Sequence, residues 1–263
     1  MKLLTINTHS LLEKDYEKKC EYFKDAILNQ KPDIIAMQEV NQSKWARTVD
    51  NSHFLGDLAI KSDNHALKIC KMLREENINY HFNWLGIKNG YKIFDEGLSI
   101  FSLDKIDKTD SLLLSNTNDY NNWKTRMAQI AKIGDKIIIN VHMGWWKDDE
   151  EPFLNQFQKL NKQLFNKEQD IFLMGDFNSP SNEKNTGYDT VLSGGWYDTY
   201  TLAEDKDDGI TVASKIDGWK ENNEKRIDYI FTNKKIPVKS SKVIFNGKNE
   251  KIISDHFGVI IEI

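Results

Sequence analysis

Six short polar clusters in this chain stand within apolar runs or at their ends. Four flank such runs directly: Asn7-Thr8-His9, Gln38-Glu39-Val40, Gly175-Asp176-Phe177-Asn178 and Ser254-Asp255-His256. Two more, Val141-His142 and Arg226-Ile227-Asp228-Tyr229, lie in or beside apolar stretches. Glu39 follows Ile34–Met37 at once. A carboxylate at the mouth of a buried strand is expensive to desolvate unless it is paired or binds a metal, although a strand end also leaves room for solvation. Asp176 and Asn178, two apart on extended backbone, face the same way and can reach one water molecule; an Asx turn is the alternative use of the same residues. Ile227, Tyr229 and Phe231 form one face of their strand, so Asp228 points to the other and wants a histidine or cationic partner. His256 is the candidate, since a carboxylate beside an imidazole fixes its tautomer and orientation.

The elements that must position these residues alternate along the whole chain. Residues 2–7 read as a strand, 16–30 as a helix through Tyr16, Cys20, Phe23 and Ile27 with Pro32 as its stop, and 33–38 as a short buried strand. Residues 41–62 have no clean period and read as a long loop. Ala66, Ile69, Cys70 and Leu73 mark a second helix, and alternation at Tyr80, Phe82 and Trp84 marks a strand over 79–87. Strands follow near 97–102, 110–115, 126–133 and 136–142, then a helix over about 152–166, a buried strand at 171–174, and strands near 226–231, 238–245 and 257–263 with loops between. No repeat or linker interrupts this pattern, which predicts one domain over residues 1–263 of mixed α and β structure, two sheets packed face to face with helices outside.

Composition narrows the function. The 263 residues carry 36 basic and 40 acidic side chains, a net charge of −4, so the long-range attraction that phosphate-backbone binders use is missing. No basic stripe with interleaved aromatics stands out, and nucleic acid is an unlikely partner. Only Arg47, Arg74, Arg126 and Arg226 are arginines, which singles each out where planar oxyanion recognition is needed. No apolar run reaches the roughly 18 residues of a membrane helix, and the start lacks the apolar core of about 7–15 residues that a secretory signal needs, so a cytoplasmic protein without membrane contact is expected. Cys20 and Cys70 are too few for a disulfide framework and are expected as buried free thiols.

Asn7, Gln38-Glu39, His142, Gly175-Asp176-Phe177-Asn178, Arg226-Ile227-Asp228-Tyr229 and Ser254-Asp255-His256 resemble, in order, the motifs of the endonuclease/exonuclease/phosphatase superfamily, from residue 7 to residue 256. The resemblance implies a four-layer α/β/β/α sandwich of two mostly antiparallel sheets, as in DNase I, and hydrolysis of a phosphate ester with Mg²⁺ or Mn²⁺. It implies roles as well. Glu39 resembles the metal-binding glutamate, with Asn7 and Asp255 beside it. Asp176 and Asn178 resemble the pair that orients and activates the attacking water. His256, held by Asp228, resembles the histidine at the scissile phosphate. His142 resembles the second histidine, Glu96 the acid that orients it in some members, and Arg126 a phosphate-contacting arginine. Hard oxygen ligands suit Mg²⁺, and histidines can donate to developing phosphoryl charge.

Three segments narrow the resemblance to the bacterial maltose 6'-phosphate phosphatase branch: Asn7-Thr8-His9-Ser10, Lys61-Ser62-Asp63-Asn64-His65 and Tyr91 to Gly97, together with Met143-Gly144-Trp145-Trp146 after His142. The expected substrate is therefore a small phosphorylated sugar. Lys61 and His65, with Arg126, offer donors to one terminal phosphate; His9, Asp63 and Asn64 complete the expected substrate set, the latter two as acceptors for sugar hydroxyls. Indole faces stack on sugar rings, which gives Trp145 and Trp146 a role; since adjacent strand residues point to opposite sides, at most one is expected in a core. A nuclease or other phosphodiesterase of the same fold, sphingomyelinase-like ones included, is the competing reading. A binding module without activity is a third, and so many polar groups at one mouth speak against it.

Overall fold

A computed structural model describes residues 1–49, 53–164, 168–213 and 224–263. Along the chain run β1 (Lys2–Asn7), a 3-10 turn (Ser10–Leu12), α1 (Tyr16–Gln30), β2 (Ile34–Ser43), β3 (Phe54–Leu55), α2 (His65–Glu75), β4 (His81–Gly90), β5 (Phe94–Ser102), β6 (Lys108–Leu113), β7 (Met127–Ile133) and β8 (Lys136–His142). There follow α3 (Phe153–Leu164), β9 (Asp170–Asp176), α4 (Gly187–Ser193), β10 (Tyr197–Asp198), α5 (Thr199–Leu202), β11 (Ala203–Lys206), β12 (Asp228–Thr232), β13 (Val238–Ile244) and β14 (Gly258–Glu262).

The strands form two sheets, in the orders β11-β13-β14-β1-β2-β5-β4-β3 and β10-β12-β9-β8-β7-β6. Most neighbours are antiparallel. The β1–β2 and β8–β9 pairs are parallel because α1 and α3 carry the chain back across a sheet face between them. Between the sheets lies a core to which Leu3, Ile34, Ala36 and Ile100 contribute from one side and Ala131, Ile138, Phe172, Met174 and Ile230 from the other. On the outer face of the eight-stranded sheet, α1 buries Cys20, Phe23, Ala26 and Ile27, and α2 buries Ala66, Ile69, Cys70 and Leu73. On the other outer face α3 and α4 bury Phe153, Phe157, Leu160, Tyr188 and Val191. The result is the expected α/β/β/α sandwich, and both cysteines are buried free thiols. No helix of the described residues is long and apolar enough to cross a membrane.

Several elements differ from the sequence reading. The expected 41–62 loop is in part ordered sheet: β2 continues to Ser43, β3 pairs with β4, and Thr48 bridges Lys61, while residues 50–52 lie outside the described residues. The period failed there because polar residues face inward; Gln42 is fully buried and donates to the Ala59 carbonyl (3.0 Å) and to Asp95 (2.9 Å). β4 runs past 87 to Gly90. Short elements, α4, β10, α5 and β11, occupy part of the stretch read as loops, and α3 is described to Leu164, with 165 and 166 outside the described residues.

Gly97 of β5 sits where both neighbouring strands bulge. It pairs with Val40 of β2 and with Gly86 of β4, and the register shifts between Met37 and Val40 on one side and between Gly86 and Lys88 on the other. A Cβ at Gly97 would lie 2.1 Å from the Leu85 carbonyl oxygen and 2.8 Å from Trp84 Nε1. Gly97→Ala should therefore destabilise the protein by about 3 kcal/mol and lower the melting midpoint by about 10 °C. Gly134→Ala, with nothing within 4 Å of its Cβ and φ of 59°, should cost only about 1 kcal/mol. Equal midpoints for the two variants in a calorimetric scan would refute the close approach.

Candidate active site

The register of the six-stranded sheet places three of the chemical residues in one row. Asp228 of β12 pairs with Asp176 of β9, which pairs with His142 of β8. Paired positions point to the same face, so these side chains converge at the sheet's end. The backbone is tight just before the row: Gly175 has φ of 143°, and a Cβ there would meet the Val141 carbonyl at 1.9 Å. The loop before β14 brings in His256, whose Nδ1 lies 3.0 and 3.2 Å from the two carboxylate oxygens of Asp228. Its Nε2 lies 3.8 Å from Asp176 Oδ2, and His142 Nε2 lies 3.6 Å from the same oxygen. Asp176 Oδ1 accepts from the Asn178 backbone N–H (2.8 Å), so the Asx turn forms and still leaves Oδ2 facing both imidazoles. Asn178, left-handed at φ of 47°, donates its side-chain amide to the Met143 carbonyl (3.0 Å).

Burial acts on all three charges, and their neighbours decide the outcome. Asp176 is pushed up to about 7 by desolvation, with His256 pulling it down and Asp228 adding to the rise. For His256, burial favours the neutral ring, but Asp228 and Asp176 together outweigh it and hold the pKa well above the ordinary value. His142 is held well below its ordinary value by burial and by the charges of Arg126, Lys88 and His256.

The eight-stranded sheet contributes the facing wall. At the β2 bulge Glu39 adopts φ of 51°, a strained conformation for a residue with a side chain. The loop after β1 pins it there. Ser10 donates its hydroxyl to the Glu39 carbonyl (2.7 Å) and accepts from the Asn41 N–H (3.1 Å), while Thr8 donates to the Gln38 carbonyl (2.9 Å). Asn7 donates one amide group to Glu39 Oε1 (2.9 Å) and Asp176 Oδ2 (3.2 Å), joining the two sheets' carboxylates. Burial and the charges of Glu96 and Asp255 push the Glu39 pKa up. His9, at the rim, lies 2.6 Å from Glu13 and 3.9 Å from Asp255; burial lowers its pKa, but Glu13, Asp255 and Glu39 raise it to about 9.

Lys88, Glu96 and Arg126 form the third wall, and Tyr91, Trp123 and Trp145 stand exposed around the opening. The whole encloses a cleft of about 500 Å³ that includes His9, Glu39, His142, Asp176, Asn178, Asp255 and His256. A larger and more open cavity, about 840 Å³, lies at the opposite ends of β8 and β9 among Lys108, Lys132, Asp170 and Lys234; none of the residues above reaches it. A hard divalent cation fits the cleft's donor set. Glu39 is a half-buried carboxylate near other carboxylates, and its hydrogen-bond partner is the Asn7 amide, with the His142 ring 4.0 Å away. Two triplets of side chains among the described residues also lie within 4.8 Å of one another, Asp176–Asp228–His256 and His9–Glu13–Asp255. Glu39 is in neither; it is joined to Asp176 through the Asn7 amide nitrogen, which donates to both.

The sequence matches the family described as endonuclease/exonuclease/phosphatase over residues 5–256. This chain belongs to the endonuclease/exonuclease/phosphatase family. Its members are hydrolases that act on phosphoester bonds. A family protein from Leptotrichia buccalis C-1013-b superposes with a TM-score of 0.90 at 32% identity, covering 100% of this chain and 98% of that one. The mannosyl-6-phosphatase Bt3783 of Bacteroides thetaiotaomicron gives 0.68 at 19% identity, with 100% and 98% coverage. The 3'-5' exonuclease of Neisseria meningitidis gives 0.65 at 18%, with 100% and 99% coverage. No curated protein matches the sequence.

Not every expected site residue reaches the family cleft. The 61–65 segment serves the scaffold instead. The Lys61 ammonium contacts the Lys44 carbonyl and lies 3.6 Å from Asp95, Asp63 accepts from the Ser43 N–H, and Asn64 caps α2 by accepting from the Leu67 N–H (3.1 Å). His65 is buried, its Nδ1 2.9 Å from the Tyr16 hydroxyl and its ring stacked on Phe23. Of the tandem tryptophans, Trp145 lines the cleft and Trp146 packs against the core beneath α3. Glu96 pairs with Lys88 (Oε1 to Nζ 3.1 Å), not with His142. Lys88 itself was missed: alternation continued from Tyr80, Phe82 and Trp84 puts it on their apolar face, away from the cleft, but the bulge after Gly86 re-phases β4.

His65 gives a clean acid response. Burial, then the Lys68 charge, lowers its pKa from 6.5 to about 3, so the unfolded chain takes up a proton that the folded chain refuses. The stability this neutral histidine allows is present above 6.5 and is lost as pH falls toward about 3, at up to about 1.4 kcal/mol per pH unit. Urea midpoints for His65→Gln should fall less steeply than wild type below pH 6.5. Parallel slopes would show that His65 does not titrate in this window.

Proposed function

We propose that this chain is a metal-dependent phosphomonoesterase acting on a small phosphorylated sugar, of which maltose 6'-phosphate is an example. The observation that carries this reading is the cleft: paired imidazoles and a buried carboxylate at its floor, cations on one wall, and exposed aromatic faces at a mouth enclosing about 500 Å³. Such a space suits a phosphate and a ring or two, not a duplex. The net charge of −4 points the same way. The Bt3783 structure bears the name of a mannosyl-6-phosphatase, while the Neisseria protein is a 3'-5' exonuclease, so fold likeness alone does not choose.

In this reading Asp176, with a pKa near neutrality, takes the proton of the attacking water, which Asn178 helps to hold. His256, kept as an imidazolium by Asp228, donates from Nε2 to the phosphoryl oxygens as negative charge grows there. His142 is a neutral donor on the other side of Asp176. Arg126 faces the same phosphate. Glu39, with Asp255 and the Asn7 side chain beside it, is the carboxylate that would hold Mg²⁺ or Mn²⁺; when bound, the ion polarises a phosphoryl oxygen and offsets charge on the leaving group.

The deciding experiment is a panel of sugar phosphates, aryl phosphates, phosphodiesters and plasmid DNA assayed with Mg²⁺, with and without EDTA. Turnover of sugar monoesters that EDTA abolishes is the expected result; full turnover in EDTA sinks the metal, and efficient plasmid nicking makes the protein a nuclease. Trp145→Ala should raise KM for the sugar phosphate by roughly tenfold, since stacking contributes about 1 kcal/mol or more, and leave a minimal aryl phosphate nearly unchanged. Equal damage to both would remove Trp145 from sugar binding.

His256 and Asp228 should behave as one unit. Each single substitution, His256→Ala or Asp228→Asn, should lower kcat by roughly 10²-fold or more, and the double variant should lose little beyond that. Strictly multiplicative losses in the double-mutant cycle would show that the pair does not act together.

A further inference from the structure

We propose that Lys88, together with Arg126, forms a receptor for the two negative charges of a phosphate monoester, and that Lys88 sets the preference for monoesters over diesters; this rests on the phosphomonoesterase reading above. Both side chains are buried in the wall of the cleft, at 7% exposure each. Both donate to one atom, the Trp123 carbonyl oxygen, Lys88 Nζ at 3.0 Å and Arg126 Nη1 at 2.7 Å. Two cations are thus fastened side by side. Among the described residues one carboxylate, Glu96, lies within ion-pair distance of either, at 3.1 Å from Lys88. Arg126 Nε is buried without a hydrogen-bond partner.

Two buried cations share one carboxylate within ion-pair distance, with Glu39 and Asp176 acting on them from farther off, and the unpaired buried donor Arg126 Nε is costly. Burial and each cation's neighbours show the strain. The Lys88 pKa is lowered by desolvation and next by Arg126, and Arg126 is lowered by its own burial. A phosphate monoester carries close to two charges near neutral pH, and its terminal oxygens offer acceptors on every side. A diester carries one charge and puts an ester substituent where one of those oxygens would be. Arg126 can engage either ester through its planar fork, whereas the compact ammonium of Lys88 gains most from the second charge. Trp123 links this receptor to the sugar platform: its carbonyl holds the cations and its ring stands 62% exposed at the mouth of the same cleft.

The test compares wild type, Lys88→Met, which removes the charge and the donor, and Lys88→Gln, which keeps a donor for the Trp123 carbonyl. For each, kcat/KM is measured with Mg²⁺ for p-nitrophenyl phosphate and bis(p-nitrophenyl) phosphate. Competitive inhibition by inorganic phosphate and by dimethyl phosphate is measured at about pH 8, where the first is doubly and the second singly charged. Both variants should lose monoester kcat/KM about tenfold more than diester kcat/KM, and the phosphate inhibition constant should rise at least about tenfold while that of dimethyl phosphate moves less than about threefold. These ratios do not depend on the folded fraction. Equal losses for both esters, or an unchanged phosphate constant, overturn the role of Lys88 while leaving a monoester-preferring enzyme intact. A wild type that prefers the diester overturns the phosphomonoesterase reading itself.

Discussion

The site depends on one register. Asp228, Asp176 and His142 are opposite one another on three adjacent strands, so a slip of one residue in either pairing would turn a member of the row to the outer face of the sheet. That register is set by strands whose other residues are mostly apolar and buried, Ile171–Met174 and, in the neighbouring strand, Ile137, Ile138, Ile139 and Val141, with Asn140 the buried polar exception. The hydrophobic sandwich therefore does more than supply stability. It fixes a carboxylate with 1% exposure between two imidazoles, where small displacements change its proton affinity strongly.

The row alone is half a site, and its other half belongs to the opposite sheet. A buried polar bridge locks the two sheets together beneath the cleft. Gln38 of β2 donates to Asn140 of β8 (2.7 Å), Asn140 donates back to the Met37 carbonyl (2.9 Å) and across to the Ser99 carbonyl (3.0 Å), and Gln129 of β7 reaches the Asn83 carbonyl (2.9 Å). Such bonds are directional in a way that apolar packing is not, so they resist sliding of one sheet over the other. Above the bridge, both neighbours of β5 bulge beside Gly97. One bulge lifts Glu39 toward the row, and the other turns Lys88 toward Glu96 on β5. A single glycine thus accommodates the two irregularities that bring an acid and a base to the cleft.

What could be read in the sequence follows from this division. Asn7, Asp176, Asn178 and Ser254 to His256 were legible because they stand where apolar runs end, and the layers were legible because α1, α2 and α3 carry clean apolar faces. The structure brings Asn7, Glu39, Asp176, Asn178, His142, Asp228 and His256 together as their positions suggested. The 61–65 segment misled because lysine, aspartate, asparagine and histidine look alike as ligands and as scaffold: Asn64 is a helix cap and His65 a core residue, and only the tertiary partners Leu67, Tyr16 and Phe23 tell which. Lys88 was invisible for the opposite reason. Strand alternation puts residues by parity, and a bulge changes parity without leaving any mark in residue type.

The two histidines show how one fold makes an acid and a neutral donor from the same side chain. Both are buried, so desolvation pushes both toward the neutral ring. Both also lie within 4 Å of Asp176 Oδ2. What separates them is the second neighbour. His256 has Asp228 hydrogen-bonded to its other nitrogen at 3.0 Å and stays charged; His142 has Glu39 only at 4.0 Å from its other nitrogen, with the cations Arg126 and Lys88 nearby, and stays neutral. The wall that leaves room for an anionic phosphate is therefore the wall that keeps His142 uncharged, and the carboxylate that buttresses His256 stands on the far side of the row from it. With the charges of Arg126 and Lys88 on one flank of Asp176 and the imidazolium that Asp228 holds on the other, a phosphoryl group entering the cleft meets donors already oriented.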